Sequence, residues 1–182
     1  MVFADFFLKF PKQKFEILHF NHGTEYCDEA ESFVRKFCDS RGLVFHGGKI
    51  ETEFAPGESR EAYWRNARYS FFSKFTDRPI VTCHHLNDCI ETWIMTSMTG
   101  NPKLIPYRNE KYNIIRPFLI VPKSEIESWV VRHGVKYVVD GSNFDTDIPR
   151  NYVRHVMMPH VLKLNPGIGT TIANKIRRNF TV

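Results

Sequence analysis

The chain has no run of apolar residues near the roughly 18 that a membrane-crossing helix needs. Its four cysteines, Cys27, Cys38, Cys83 and Cys89, make no C-x-x-C pair. The first absence predicts no helical membrane span. The second disfavours a zinc ribbon and a disulfide framework, and leaves the cysteines as small buried hydrophobes in a reducing compartment. The opening stretch lacks the basic start of a signal peptide and carries Asp5 instead. A soluble, cytoplasmic protein is expected. Acid is missing too, but only locally: from residue 148 to the end there are six Lys or Arg and no Asp or Glu, while the other 19 of the 25 basic residues face 20 acidic ones. A basic tail on a neutral body points to contact with phosphates, although many basic helices are only solvated surface.

What is present fits one domain. A chain of 182 residues with 42% hydrophobic content can bury one core and hardly two. The expected organisation is an α/β domain over residues 1–147, with residues 148–182 as its basic helical extension. Residues 2–9 read as a helix, residues 15–20 as a short buried strand closed by Asn21, His22 and Gly23, and residues 25–41 as a helix stopped by Gly42. A strand follows at residues 43–45, resuming at 49–53 beyond Gly47 and Gly48. Ser59 is placed to cap a helix running to about Phe75. Residues 79–83 read as a strand and residues 87–98 as a helix. An extended stretch runs to Val121, and Ser124 with Glu127 forms a capping-box pattern for a helix ending at Gly134. Strand and helix alternate at intervals that suit right-handed crossovers, so the predicted fold class is α/β, a three-layer Rossmann-like sandwich with a parallel sheet. The loops after the strands would then share one edge, bringing together His22 and Gly23, Gly47 and Gly48, and His84, His85 and Asp88.

Several polar groups stand at spacings that carry chemistry. Asp88 and Glu91 are three apart at the start of a predicted helix, where two carboxylates can hold Mg²⁺, orient an amine or accept its proton. The undemanding explanation is that acids favour a first helical turn. Arg65 and Arg68 share one helical face and can grip phosphate oxygens, or else pair with Glu58 or Glu61 on the surface. His22, His84 and His85 are individually weak signals, and no zinc site is expected. Asp140, Ser142, Asn143 and Asp145 form a polar loop, after which Arg150 and Arg154 stand at i and i+4; the plain alternative is a capped loop followed by a basic helix.

Taken in order, the segments HFNHG at 19–23, Arg65-x-x-Arg68-Tyr69, HHLNDCIET at 84–92, RPFL at 116–119, DGSNFD at 140–145 and RNYVRHVMMP at 150–159 resemble the signature of the tRNA(Ile)-lysidine synthetase family. That family belongs to the N-type ATP pyrophosphatases, the PP-loop superfamily. The resemblance implies an adenine nucleotide alpha hydrolase-like fold and a carbon–nitrogen ligase using ATP and Mg²⁺. Its reaction adenylates the wobble cytidine of an isoleucine tRNA with a CAU anticodon, and the ε-amine of free lysine then displaces AMP. It also implies a site built from Asp88, Glu91 and Arg68 as catalytic residues. His22, Arg65, His84, His85, Arg116, Asn143, Arg150 and Arg154 would bind substrate or nucleotide. Family members carry a first strand and an S-G-G-x-D-S loop that cradles pyrophosphate. This chain contains no Ser-Gly-Gly, and Met1 falls about where the residue after that loop would stand. A start codon placed too late is the expected reason. A separate polypeptide supplying the loop and a remnant that only binds tRNA are the other two. Another PP-loop chemistry such as tRNA thiolation is disfavoured by the missing cysteine pairs.

Overall fold

In a computed structural model, residues 1–180 are described except 11, 13, 52–59 and 76. Their contacts group into two units, residues 1–78 with 135–140, and residues 79–134 with 141–182. The predicted boundary at 147/148 lies inside the second.

The first unit opens with α1 (Val2–Leu8) and β1 (Ile17–Asn21). Helix α2 (Glu25–Asp39) follows, with the Thr24 hydroxyl accepting from the Cys27 amide at its N-terminus. At its other end Gly42 takes φ 62°, the left-handed conformation that glycine adopts at least cost. Strand β2 (Phe45–Lys49) pairs in parallel with β1, His19 opposite Gly47 and Phe20 opposite Gly48. Helix α3 (Arg60–Phe72) then packs aromatic rings against the pair, Phe71 meeting Phe20 at 5.6 Å between centroids.

Here the sequence reading needs correction: Gly47 and Gly48 are strand residues, not a ligand-facing turn. A Cβ on Gly48 would stand 2.6 Å from a Phe71 ring carbon, so the missing side chain is what lets α3 approach β2. Ser59, the expected cap of α3, and Glu58 lie outside the described residues, as does the second half of the strand expected at 49–53.

The second unit begins with β3 (Ile80–Val81), shorter than expected, and α4 (Leu86–Met98). Strand β5 (Ile114–Ile115) lies parallel to β3 and antiparallel to β4 (Arg108–Asn109), giving the order β3-β5-β4. Helix α5 (Lys123–His133) starts after Pro122 with no side-chain cap, so the Ser124–Glu127 capping box does not form; Glu127 pairs instead with Lys123 at 3.3 Å. The chain then runs through a short 3-10 turn (Gly141–Phe144), α6 (Pro149–Tyr152), a π-helical turn (Val153–Met157), α7 (Met158–Leu164) and α8 (Ile168–Arg178). The core of this unit joins Leu86, Cys89 and Ile90 of α4, Leu119, Met158, and Ile172, Ala173 and Ile176 of α8. Helix α8 is amphipathic in the way its sequence dictates, Ile172 and Ile176 inward and Lys175, Arg177 and Arg178 in its last turn. No helix among the described residues is long and apolar enough to cross a membrane.

Candidate functional site

Two acids of α4 and two arginines of the α6–π segment make one ion-pair cluster in the second unit. Asp88 and Glu91 sit in the first two turns of α4, on the side facing the π turn. Glu91 is 2% exposed and both of its oxygens are taken. Arg154 approaches fork to fork, Nε to Oε1 at 2.8 Å and Nη2 to Oε2 at 3.0 Å, and Arg150 Nε donates to Oε2 at 2.9 Å. Such charge-assisted, bidentate bonds are the strong kind. The bond to Glu91 raises the Arg154 pKa further above its ordinary value.

Asp88 is held differently. Its Oδ2 accepts the His85 backbone amide at 2.9 Å while His85 Nδ1 accepts the Asp88 amide at 3.3 Å, a reciprocal cap on α4. Burial lowers the His85 pKa, against the opposing pull of Asp88 and Glu91, and the neutral ring is the form able to accept at Nδ1. The other oxygen, Oδ1, is only loosely engaged, with Arg150 at 3.3 Å and Arg154 at 3.8 Å. One carboxylate is therefore saturated and one is half available.

The π turn sets this up. Widening the helix by one residue per turn is a local distortion often found at working sites, and here it carries Arg154 next to Arg150 over the same pair of acids. The residues one step on, Asn151 and His155, face the preceding loop. Buried Asn151 donates from Nδ2 to the carbonyls of Ser142 at 2.7 Å and Asp145 at 2.9 Å, and His155 Nε2 is 2.8 Å from the Asn143 carbonyl. Asn151 is a residue that sequence reasoning missed; its signal was the second letter of the Arg-Asn pair.

The other expected residues lie as follows. His84 Nδ1 is 3.0 Å from the Thr82 hydroxyl. Arg116 is buried and donates from Nη1 to the Pro106 carbonyl at 2.8 Å, bracing the loop before β4. In the first unit, His22 lies against Trp64 at 5.3 Å and Phe20 at 5.2 Å between ring centroids, and its Nδ1 has no hydrogen-bond partner among the described residues. Burial, then the Arg68 charge, pushes its pKa down to about 4. Arg65 stacks over Tyr69, 4.8 Å from the ring centre. Asn21, also missed, is fully buried beside them: its Nδ2 donates to Asp28 and Glu31 and its Oδ1 accepts the Gly23 amide, fixing the loop after β1.

Among the described residues no group of three His, Cys, Asp or Glu could hold a metal ion. With Asp88 and Glu91 already engaged by guanidinium groups, these residues do not fit a Mg²⁺ site of their own. Cys89, inside the HHLNDCIET segment, is a core residue whose thiol is pushed up to about 12 by burial, which keeps it protonated. Cys38 is likewise buried, whereas Cys83 is exposed and Cys27 intermediate.

An α/β fold with parallel strand pairs thus carries this set of motif residues in order. The model of the PP-loop domain matches residues 1–161, and the chain belongs to that PP-loop family. Among its relatives, it is 33% identical over 161 residues to the tRNA(Ile)-lysidine synthase of Persephonella marina, covering 84% of this chain and 36% of that protein. To the tRNA(Ile)-lysidine synthase of Petrotoga mobilis it is 32% identical over 163 residues, covering 82% and 51%. The chain thus spans about a third to a half of the curated relatives it matches. A solved structure, the U34-tRNA thiolase NcsA from Methanococcus maripaludis with its 4Fe-4S cluster, overlays with a TM-score of 0.74 on 97% of this chain and 66% of that one, at 16% identity. A likeness at that identity concerns the fold alone.

Proposed function

We propose that this chain is the catalytic part of a lysidine-synthetase-type ligase acting on the wobble cytidine of a CAU-anticodon isoleucine tRNA in the cytoplasm. In that reaction the base carbonyl oxygen attacks the α-phosphate of ATP and pyrophosphate leaves. The lysine ε-amine then displaces AMP at the activated ring carbon and gives up a proton. The ATP-gripping loop is required in the same polypeptide or from a separate one.

The observation that carries this reading is the Asp88–Glu91–Arg150–Arg154 cluster, in which two distant motif blocks meet through five charge-assisted contacts, at 2.8 to 3.8 Å. It also divides the labour. Glu91, with no oxygen to spare, positions the two arginines; Asp88, with one oxygen loosely held, accepts the amine or its proton; Arg150 and Arg154, partly exposed, steady the anionic leaving group. His85 fixes Asp88 through the helix cap. His22 and Arg65 are assigned to substrate or nucleotide, and Arg68 to the catalytic set with Asp88 and Glu91. Mg²⁺ would accompany the nucleotide phosphates, and no step here depends on where it binds.

The test is to incubate this chain, and a form extended upstream to include the loop, with ATP, labelled lysine and isoleucine tRNA. The extended form should transfer lysine and release pyrophosphate, and Asp88→Asn should lower that rate by about 100-fold, as for loss of a general base. If the folded, extended form transfers no lysine, the reading is wrong. Salt-sensitive tRNA binding without pyrophosphate release would leave a tRNA-binding remnant of the fold.

A further inference from the structure

Asn151 grips a loop that the core does not hold. Every residue from 141 to 149 is exposed, and the 3-10 turn at Gly141–Phe144 has no buried residue. Asn151 itself is only 6% exposed, and its Nδ2 reaches the Ser142 carbonyl at 2.7 Å and the Asp145 carbonyl at 2.9 Å. The turn's own bonds onto those two carbonyls are longer, 3.2 Å from the Asp145 amide and 3.4 Å from the Ile148 amide. Both short bonds come from one side-chain amide, whose nitrogen carries two N–H donors. A turn further on, His155 Nε2 lies 2.8 Å from the Asn143 carbonyl, and since a carbonyl only accepts, that nitrogen donates.

Arg150 is the neighbour of Asn151 in α6 and the less firmly held of the two arginines. Arg154 has a fork of two bonds to Glu91, at 2.8 and 3.0 Å. Arg150 has one short bond, Nε to Oε2 at 2.9 Å, and contacts of 3.3 and 3.5 Å from Nη2 to Asp88. Adjacent residues of a helix point about 100° apart. The acids of α4 therefore restrain this segment from one side and the loop restrains it from another, which fixes its rotation about its own axis. Carbonyls of an exposed loop can turn to water, so losing the latch costs little stability. What it costs is the direction of Arg150.

We propose that Asn151 is a positioning residue of this site: by clamping the 142–145 loop to α6 it fixes where the Arg150 guanidinium stands beside Asp88 and Glu91, facing the anionic leaving group. The inference rests on the lysidine-synthetase reading above, and deepens it by one residue to which that reading gives no part.

The position of Arg150 is read in the chain itself, from the Nε–H signals of Arg150 and Arg154 in nitrogen-resolved NMR, with Arg150→Lys identifying the first. Bonded to buried Glu91, both protons should exchange slowly with water. In Asn151→Ala the Arg150 proton should exchange at least about tenfold faster, while the backbone amides of α4 and α8 keep their protection. Asn151→Asp, which keeps the shape and has no side-chain N–H, should do the same. In the form extended to include the ATP loop, both variants should lower the maximal rate of lysine transfer by about tenfold to 100-fold, with KM for lysine and tRNA unchanged, as for a misplaced catalytic group. An Arg150 proton that exchanges as in the wild type in both variants would overturn the proposal, whatever the rate does. So would exchange that quickens throughout α4 and α8 together with a lowered melting temperature, because Asn151 would then be a structural residue only. Arg150 loosened by itself, in a protein whose extended wild type transfers no lysine, would uphold Asn151 as the residue that sets Arg150 and sink the proposed reaction instead.

Discussion

Glu91 and His22 show two ways in which burial is made tolerable for a polar group. Glu91 stays in the interior because three guanidinium nitrogens meet its two oxygens, and removing either arginine would leave a buried charge short of partners. His22 has no such partner at Nδ1 among the described residues and is held neutral instead. With its pKa near 4 in the folded state against an ordinary 6.5, the unfolded chain binds a proton in that interval that the folded chain refuses. Stability contributed by His22 is therefore complete above about pH 6.5 and is lost as pH falls towards 4. Its partial exposure to solvent limits the loss to roughly 1–3 kcal/mol. His19 and His85 shift in the same direction, so the decisive comparison is between wild type and His22→Gln in urea titrations at pH 7 and pH 4.5. The variant should lose less stability between the two; an equal loss would show that His22 is protonated in the folded state.

At the scale of elements, the contact between β2 and α3 depends on an absent atom. A Cβ at Gly48 would overlap Phe71, whose ring is itself wedged against Phe20 at 5.6 Å and Phe75 at 5.2 Å and cannot simply swing away. Gly48→Ala should destabilise the protein by about 1–3 kcal/mol, as overpacking does. Phe71→Leu in the same chain should recover part of that loss; additive losses in chemical denaturation would mean the clash is not with Phe71. This element also shows where local reading stops. Helices α2 and α4 were legible because the pattern that marks them is set within a dozen residues. A Gly-Gly pair reads as a turn unless one knows that a ring from 23 residues further on must lie above it. The acids and arginines of the cluster were legible from spacing as well. Asn21 and Asn151 were not, because a lone Asn is an ordinary turn residue and its buried partners are set only by the fold. Ser124 and Glu127 failed for the opposite reason: the capping pattern is present, but Pro122 starts the helix one residue before Ser124 could cap it.

For the whole molecule, the uneven charge noticed at the outset is changed by folding. Of the six basic residues after position 147, Arg150 and Arg154 spend their charge on Glu91 and Asp88; the other four are Lys163, Lys175, Arg177 and Arg178. Lys175 lies over the Trp93 ring, 5.1 Å from its centre, a weak contact that a phosphate can outcompete, and Arg177 donates to Asn174. If this end provides the phosphate contacts of the proposed tRNA complex, four cations can release at most about four counterions. The logarithm of the binding constant should then fall with the logarithm of salt concentration at a slope no steeper than about −3 to −4. Replacing Lys175, Arg177 and Arg178 together by Ala should flatten that slope to about −1 and weaken binding at low salt. A slope near −3 that survives the triple substitution would place the phosphate contacts elsewhere on the molecule, and the asymmetry of charge would then be no more than a solvated surface.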